Sequence, residues 1–367
     1  MTDVLPFTRT PSEHRTSPER RAEILAAPGF GHHFTDHMVQ IVWDREQGWH
    51  DAAIVPYGPI SLDPAATVLH YAQTIFEGLK AYAQPDGSVA AFRADANARR
   101  FQASSRRLAL PELPPELFVE SLRTLVREDR AWVPPAGAEE SLYLRPFMFG
   151  TTPHLGVEPA ADVLYCVIAS PSAVYFTSGA KPVRVWISKS YVRAAPGGTG
   201  AAKTGGNYAG SLVGQVEAEQ HGCSQVVWLD ATERRYVEEM GGMNLAFVLG
   251  EGPSARVVTP QLTGTLLPGV TRDSLLQIAT DLGYGVEERR ISVEEWEQGV
   301  RGGAITETFA CGTAAVVTPV GSVVSDETSF EIGDGEPGPV TLRLRDALTA
   351  VQRGLAEDPH GWRTPLA

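Results

Sequence analysis

The chain has 367 residues, of which 43% are apolar and 20% charged, a composition that suits a folded protein. That length allows two hydrophobic cores, because single cores stop growing near about 250–300 residues. The formal net charge of -13 sets the overall field against nucleic acid and anionic membrane surfaces, while a small anion needs only a local positive pocket.

In chain order, residues 1–21 are polar and lack the apolar core of a secretion signal. Ser17 before Pro18 has the form of an N-cap followed by the first helical position, and predicts a short helix through Ala26. Met38–Asp44 and Trp49–Tyr57 read as strands of a hairpin, and Asp63-Pro64 as the start of a second short helix. Gly78–Ala83 and Val89–Arg93 flank the turn residues Pro85-Asp86-Gly87. Helices are expected at Asn97–Leu108 and Pro115–Arg130, and strands at Ser141–Phe149 and Asp162–Ser170, so this half is α+β rather than a βαβ series. Pro171–Pro182, rich in Ser, Gly and Pro, is the expected linker.

The second half predicts a strand at Val183–Ser188, a glycine-rich loop at 197–206 and a helix at Asn207–His221. Strands Gln225–Asp230, Arg235–Glu239 and Asn244–Leu249 follow, then helix Val270–Leu282 and strands Gly285–Ile291 and Ala314–Val320. An acidic loop, Glu327–Pro339, precedes a C-terminal helix to about Leu355. No run approaches the roughly 18 apolar residues of a membrane span. Cys166, Cys223 and Cys311 lie far apart without a CxxC pair, which sets aside a disulfide framework and a cysteine metal site. Metal ligation is not expected, and the expected location is the cytoplasm.

Chemistry concentrates in Gly197-Gly198-Thr199-Gly200-Ala201-Ala202-Lys203-Thr204-Gly205-Gly206-Asn207-Tyr208. Such glycine density lets a backbone turn tightly near a ligand. One reading is a surface loop with a solvated lysine. Another is a phosphate-binding P-loop, with Val226-Val227-Trp228-Leu229-Asp230 as its companion strand. Against the P-loop, Ala202 holds the required glycine position, and Gly205-Gly206 fall where a P-loop is already helical, at about 1 kcal/mol each relative to alanine.

A third reading accounts for more of the chain. The loop resembles the lysine loop of the branched-chain amino acid aminotransferases, fold-type IV enzymes dependent on pyridoxal 5′-phosphate (PLP). Further blocks of the resemblance follow in order: Phe34-Thr35-Asp36-His37-Met38; Leu69-His70-Tyr71 with Phe76-Glu77-Gly78-Leu79-Lys80; Leu142-Tyr143-Leu144-Arg145-Pro146. Beyond the loop come Glu239-Met240-Gly241-Gly242-Met243-Asn244, Leu267-Pro268-Gly269-Val270-Thr271-Arg272 and Gly312-Thr313-Ala314. The resemblance spans residues 28–320.

The resemblance implies an α+β N-terminal domain (1–175), a linker (176–182) and a larger, α/β-barrel-like, PLP-binding domain (183–367), with the cofactor between them. It implies a homodimer acting on small amino and 2-oxo acids: leucine, isoleucine or valine would give its amino group, and 2-oxoglutarate would take it. Lys203 would carry PLP and serve as the acid–base group. Tyr208 would bond the ring's phenolic oxygen, and Glu239 the pyridine nitrogen. Taken alone, Glu239 could equally be an exposed strand residue beside Glu238. Val270 and Thr271 at a helix start, with Thr313 and Arg100, would hold the phosphate.

Phe30, Phe76, Tyr143, Tyr175 and Ala314 would line the substrate pocket, with Tyr71, Leu155 and Val157 supplied by a second subunit, and Arg145 would take a distal carboxylate. Aromatic residues of this kind also serve as plain core. Two departures stand out: Gly242 replaces a threonine of many relatives, and Ala315 and Thr318 replace the CxxC of mammalian members. The enzymatic alternatives are a D-amino acid aminotransferase and an aminodeoxychorismate lyase, and from another class a P-loop nucleotide-binding protein.

Overall fold

The Ser17 hydroxyl accepts the Arg20 amide and Pro18 opens the first helix, α1 (Pro18–Ala26), as their order in the sequence requires. The computed structural model describes residues 5–136, 140–173 and 182–367. The chain divides into two units: Met1–Thr177 with Ala202–Gly205 and Val351–Ala367, and Ser178–Ala201 with Gly206–Ala350.

The first unit contains β1 (Thr8–Arg9), β2 (His37–Asp44), β3 (Gly48–Pro56), α2 (Thr67–Tyr71), β4 (Thr74–Phe76), β5 (Leu79–Ala83), β6 (Val89–Phe92), α3 (Ala94–Arg107), α4 (Pro115–Glu128), β7 (Ser141–Gly150) and β8 (Asp162–Ser172). Its sheet runs β1-β3-β2-β8-β7-β5-β6, with β4 also pairing β7, and all pairs but β1–β3 are antiparallel. Period-two alternation decides which residues meet solvent or ligand. On β7, Leu142, Leu144 and Met148 join the core with Phe101 of α3 and Leu117, Phe118, Leu122 and Leu125 of α4. Tyr143, Arg145 and Phe147 therefore stand on the opposite face.

The second unit contains β9 (Val183–Ile187), α5 (Gly205–Ala209), α6 (Leu212–Gln220), β10 (Gln225–Leu229), β11 (Val237–Met240), β12 (Met243–Leu249), β13 (Arg256–Thr259), α7 (Val270–Asp281), β14 (Gly285–Glu288), α8 (Val293–Arg301), β15 (Ile305–Gly312), β16 (Val316–Val324), β17 (Ser329–Glu331) and α9 (Pro339–Gln352). Strands β11-β10-β9-β16-β15-β12 form a ribbon that β12 closes by pairing with β11, giving a six-stranded barrel. Closure removes the ribbon's open edges. Buried Glu307 of β15 accepts the Val340 and Thr341 amides at 3.0 and 2.7 Å and so caps α9. The last strand, β18 (Arg363–Pro365), pairs antiparallel with β6 of the first unit.

The α+β and barrel-like expectations match this architecture, and several boundaries differ. The expected domain 183–367 loses 202–205 and 351–367 to the first unit, because β18 is hydrogen-bonded to β6 and Thr204 bridges Ile75. Pro171 and Ser172 of the expected linker end β8, where they pair with Leu142 and Ser141; 174–181 lie outside the described residues. Asp63-Pro64 makes a turn, with the Asp63 carboxylate accepting the Ala65 amide, and the helix waits until Thr67.

The single helix expected at 207–221 is two, because the Ser211 hydroxyl donates to the Tyr208 carbonyl at 2.7 Å and terminates α5. Helix α8 and strands β13 and β15 were not expected at all. The strand expected from Ala314 begins at Val316, since 313–315 form the turn between β15 and β16.

Candidate functional site

The first unit brings together half of the expected site. Lys203 is fixed through its backbone: its amide donates to Ser104 Oγ at 2.9 Å and its carbonyl accepts the Phe76 amide at 3.0 Å. Thr204 adds a bond from its hydroxyl to the Thr74 carbonyl at 2.7 Å. With its own amide committed to Ser104, Lys203 does not sit in a loop of open amides of the P-loop kind. Its Nζ lies 4.7 Å from the centre of the Phe76 ring, and the Arg145 guanidinium lies 4.8 Å from the same centre. One aromatic ring thus carries two cationic side chains, a favourable arrangement for each.

Arg145 also donates to the Tyr143 hydroxyl at 3.2 Å, and Phe30 meets the Tyr143 ring edge-on at 5.2 Å. Gly78 makes this possible: a Cβ there would stand 2.0 Å from the Tyr143 hydroxyl. Phe30, Gly31, Phe34, Tyr143, Arg145, Ile168, Ala169 and Ser170 line a cavity of about 350 Å³, a size that suits a small ligand. Phe34, Ile168 and Ser170 were not named as pocket residues from the sequence. Tyr71 is not in this lining. It is partly exposed on α2, donates to the Leu155 carbonyl, and shares its exposure with Leu69, Leu155 and Val157. Tyr175 lies outside the described residues.

Buried Arg100, on α3, meets the fully buried carboxylate of Glu77 through Nε at 2.7 Å and Nη2 at 2.8 Å, a bidentate pair. Asn97 Nδ2 adds a bond to the same carboxylate at 2.7 Å. Burial pushes the Glu77 carboxyl up, but Arg100, Lys203 and Asn97 outweigh it and hold the group below its usual range. Arg100 therefore has a protein partner that the sequence reading left without a role.

The second unit assembles the other half. Glu239 on β11 is 2% exposed, which rules out the solvated strand-edge alternative. Its Oε2 pairs with Arg193 Nε at 2.7 Å. Its Oε1 accepts the Leu267 amide at 2.8 Å and Asn244 Nδ2 at 3.2 Å. Arg193 went unnoticed in the sequence because a lone arginine ahead of a glycine-rich loop carries no motif. Asn244 packs so closely on Gly269 that a Cβ at 269 would meet its Oδ1 at 2.0 Å.

Gly269 is the N-cap of α7, whose first residues Val270 and Thr271 are buried and offer amides at the positive end of the helix dipole. Tyr208 lies beside Gly242, where a Cβ would stand 3.1 Å from the ring. A threonine side chain at 242 would press on Tyr208, so the glycine gives that ring room. Thr313 and Ala314 form the β15–β16 turn, which ends on Val316 at φ 61°, a left-handed conformation strained for a β-branched residue.

The donor sets suit a phosphorylated pyridine aldehyde. A lysine amine with a fixed backbone can bear the aldehyde. A buried carboxylate can face a ring nitrogen, and the start of α7, free of a side-chain cap at Gly269, can take a dianion. Among the described residues, no group of three or more His, Cys, Asp and Glu residues could hold a metal ion, and no helix is long and apolar enough to cross a membrane.

Comparison with known proteins agrees with this chemistry. Residues 74–323 match the family model of class IV amino-transferases. Branched-chain-amino-acid aminotransferases of Mycolicibacterium smegmatis and Mycobacterium tuberculosis (strain H37Rv) are each 60% identical over 362 residues, covering 99% of this chain and 98% of theirs. Among solved structures, the Escherichia coli branched-chain amino acid aminotransferase superposes with a TM-score of 0.74 at 29% identity, over 90% of this chain and 100% of that one. The branched-chain aminotransferase of the thermophilic archaeon Thermoproteus uzoniensis, solved with norvaline, gives 0.72 at 25% identity, over 90% of this chain and 100% of that one. The chain belongs to the class IV aminotransferases, in the family of the branched-chain-amino-acid aminotransferases.

Proposed function

We propose that this protein transfers the amino group of L-leucine, L-isoleucine or L-valine to 2-oxoglutarate, with PLP attached to Lys203. The observation that carries the reading is the Phe76 ring, which bears both the Lys203 amine and the Arg145 guanidinium beside an aromatic-walled cavity. A distal carboxylate needs a cation, a branched aliphatic chain needs apolar walls, and the reacting carbon needs a base. Arg145 with Tyr143 supplies the first, Phe30, Phe34 and Ile168 the second, and Lys203 the third.

The cofactor, when bound, supplies the sink for the electron pair that remains on Cα once its proton leaves. Lys203 Nζ would take that proton from Cα and return it to the aldehyde-derived carbon of the cofactor, beyond the amino nitrogen, its backbone held still by Ser104 and Phe76. Glu239, ion-paired with Arg193, would hold the proton on the ring nitrogen. Tyr208 would donate to the phenolic oxygen. The Val270 and Thr271 amides, the Thr313 hydroxyl and Arg100 would hold the phosphate, and Ala314 would border the substrate next to Thr313.

The exposed apolar group Leu69, Tyr71, Leu155 and Val157, the last two 64% and 86% exposed, supports a homodimer in which this patch meets a second copy. Three free, buried cysteines fit a reducing cytoplasm. Borohydride reduction of the holoenzyme followed by peptide mapping tests the core of the proposal: the pyridoxyl group is expected on Lys203, and its appearance on Lys189 or Lys80 refutes it. An assay over L- and D-amino acids with 2-oxoglutarate tests the substrates. Turnover of D-alanine without L-leucine would move the chain to the D-amino acid enzymes.

A further inference from the structure

Glu238 and Glu239 are neighbours on β11 and point to opposite faces of the strand, yet both reach the same piece of chain. From one face, Glu239 Oε1 accepts the Leu267 amide at 2.8 Å. From the other, Glu238 Oε1 accepts the hydroxyl of Thr265, a buried residue two positions earlier. Thr263 lies 2.7 Å from that hydroxyl, oxygen to oxygen, and completes the chain of hydroxyls.

Thr265 is also the seat of Arg193: its carbonyl accepts Arg193 Nη1 at 2.9 Å, while Arg193 Nε reaches Glu239 at 2.7 Å. The Thr265 peptide is pinned further by Gly200, whose Cβ, if it had one, would lie 2.1 Å from the Thr265 oxygen. A shift of Thr265 therefore moves two of the groups that hold Glu239, the guanidinium and the Leu267 amide.

We propose that Glu238 is a positioning residue for amino transfer: through the Thr265 hydroxyl it fixes segment 265–267 and Arg193, and so the orientation of the Glu239 carboxylate. The inference rests on the reading of Glu239 as the partner of the cofactor ring. The role needs an acceptor at 238, not a charge. Burial pushes the Glu238 carboxyl upward against the Thr265 hydrogen bond, so the site already disfavours the charge.

The test uses the full-length enzyme, read by kcat and KM in the holoenzyme and by the affinity of the apoprotein for PLP. Thr265→Val and Glu238→Ala are each expected to lower kcat about fivefold and weaken PLP binding by a similar factor, the size of one lost hydrogen bond, with KM for L-leucine unchanged. Glu238→Gln and Thr265→Ser keep the acceptor and the hydroxyl and are expected to restore both quantities. The double variant Thr265→Val/Glu238→Ala is expected to be no worse than either single one, because the two residues act through one bond.

Unchanged kcat and PLP affinity in Thr265→Val, with only a lower melting temperature, overturns the inference. So does a double variant whose losses multiply. Glu239→Gln separates this from the underlying reading. A crippled Glu239→Gln beside a normal Thr265→Val defeats the positioning role alone, whereas a normal Glu239→Gln defeats the role of Glu239 itself.

Discussion

Each unit carries half of the residues proposed for the site, and the two groups are built from different materials. The half on the first unit is an aromatic surface: Phe76 carries Lys203 and Arg145, Tyr143 and Phe30 stand edge to face, and Gly78 clears space for the Tyr143 hydroxyl. The half on the second unit is a buried polar network, in which Glu239 is held by Arg193, Asn244 and the Leu267 amide. Aromatic walls with one or two cations sort ligands by shape and by a distal charge. A buried carboxylate paired with a guanidinium sorts nothing, and instead keeps one acidic group in one place at low dielectric. On the proposed function, substrate choice falls to the first half and control of electrons to the second.

The sharpest way to break this division is Glu239→Gln. It is expected to lower kcat by roughly 10²–10³-fold, the range seen when one preorganised electrostatic group is removed, and by the same factor for leucine, valine and glutamate. Unequal losses among these substrates in steady-state assays would give Glu239 a part in selection. Glu77→Gln probes whether the first half has a buried charge of its own. It leaves Arg100 without its carboxylate and is expected to cost roughly 3–5 kcal/mol in denaturant unfolding.

The pH dependence of that loss has a definite sign. The Glu77 carboxyl lies below its ordinary value of 4.5 in the folded state, so its contribution is fully present above that value and disappears as pH falls through the lower folded one. The wild type should therefore converge on Glu77→Gln in acid, and a gap that persists there would show that the ion pair is not its source.

Arg145→Met sharpens the comparison from the selective side. It should raise KM for 2-oxoglutarate and glutamate by about 10–100-fold, the worth of a charge-assisted hydrogen bond, and leave KM for L-leucine nearly unchanged. The smallest effect is expected at Cys311. Burial pushes its thiol up to about 12, with Arg272 a weaker opposing influence, so almost no thiolate exists at neutral pH. Ala315 and Thr318 offer no partner sulfur. Mild peroxide should leave activity intact; inactivation reversed by dithiothreitol would show a reactive thiol.

Local grammar carried much of this protein. Ser17-Pro18 announced α1, and Pro85-Asp86-Gly87 announced the turn between β5 and β6. The ordered blocks from Phe34 to Ala314 pointed to the family and, with it, to Lys203 ahead of the other lysines. Alternation along Leu142-Tyr143-Leu144-Arg145 settled which β7 residues could face a ligand. One signal was present and unread: Ser292 with Glu295 three residues on is a capping pattern, and the Ser292 hydroxyl does accept the Glu295 amide at 3.1 Å at the start of α8.

Tertiary structure decided the rest, because those features depend on residues far apart in the chain. Strand β15 escaped notice since a barrel strand packed on both faces shows no alternation, and Glu307 within it is explained only by the α9 amides more than thirty residues later. The partners of Arg100 and Glu239, namely Glu77 and Arg193, lie at separations set by no helical or strand period. They meet because the folded chain buries a charge that no short stretch of sequence can neutralise by itself.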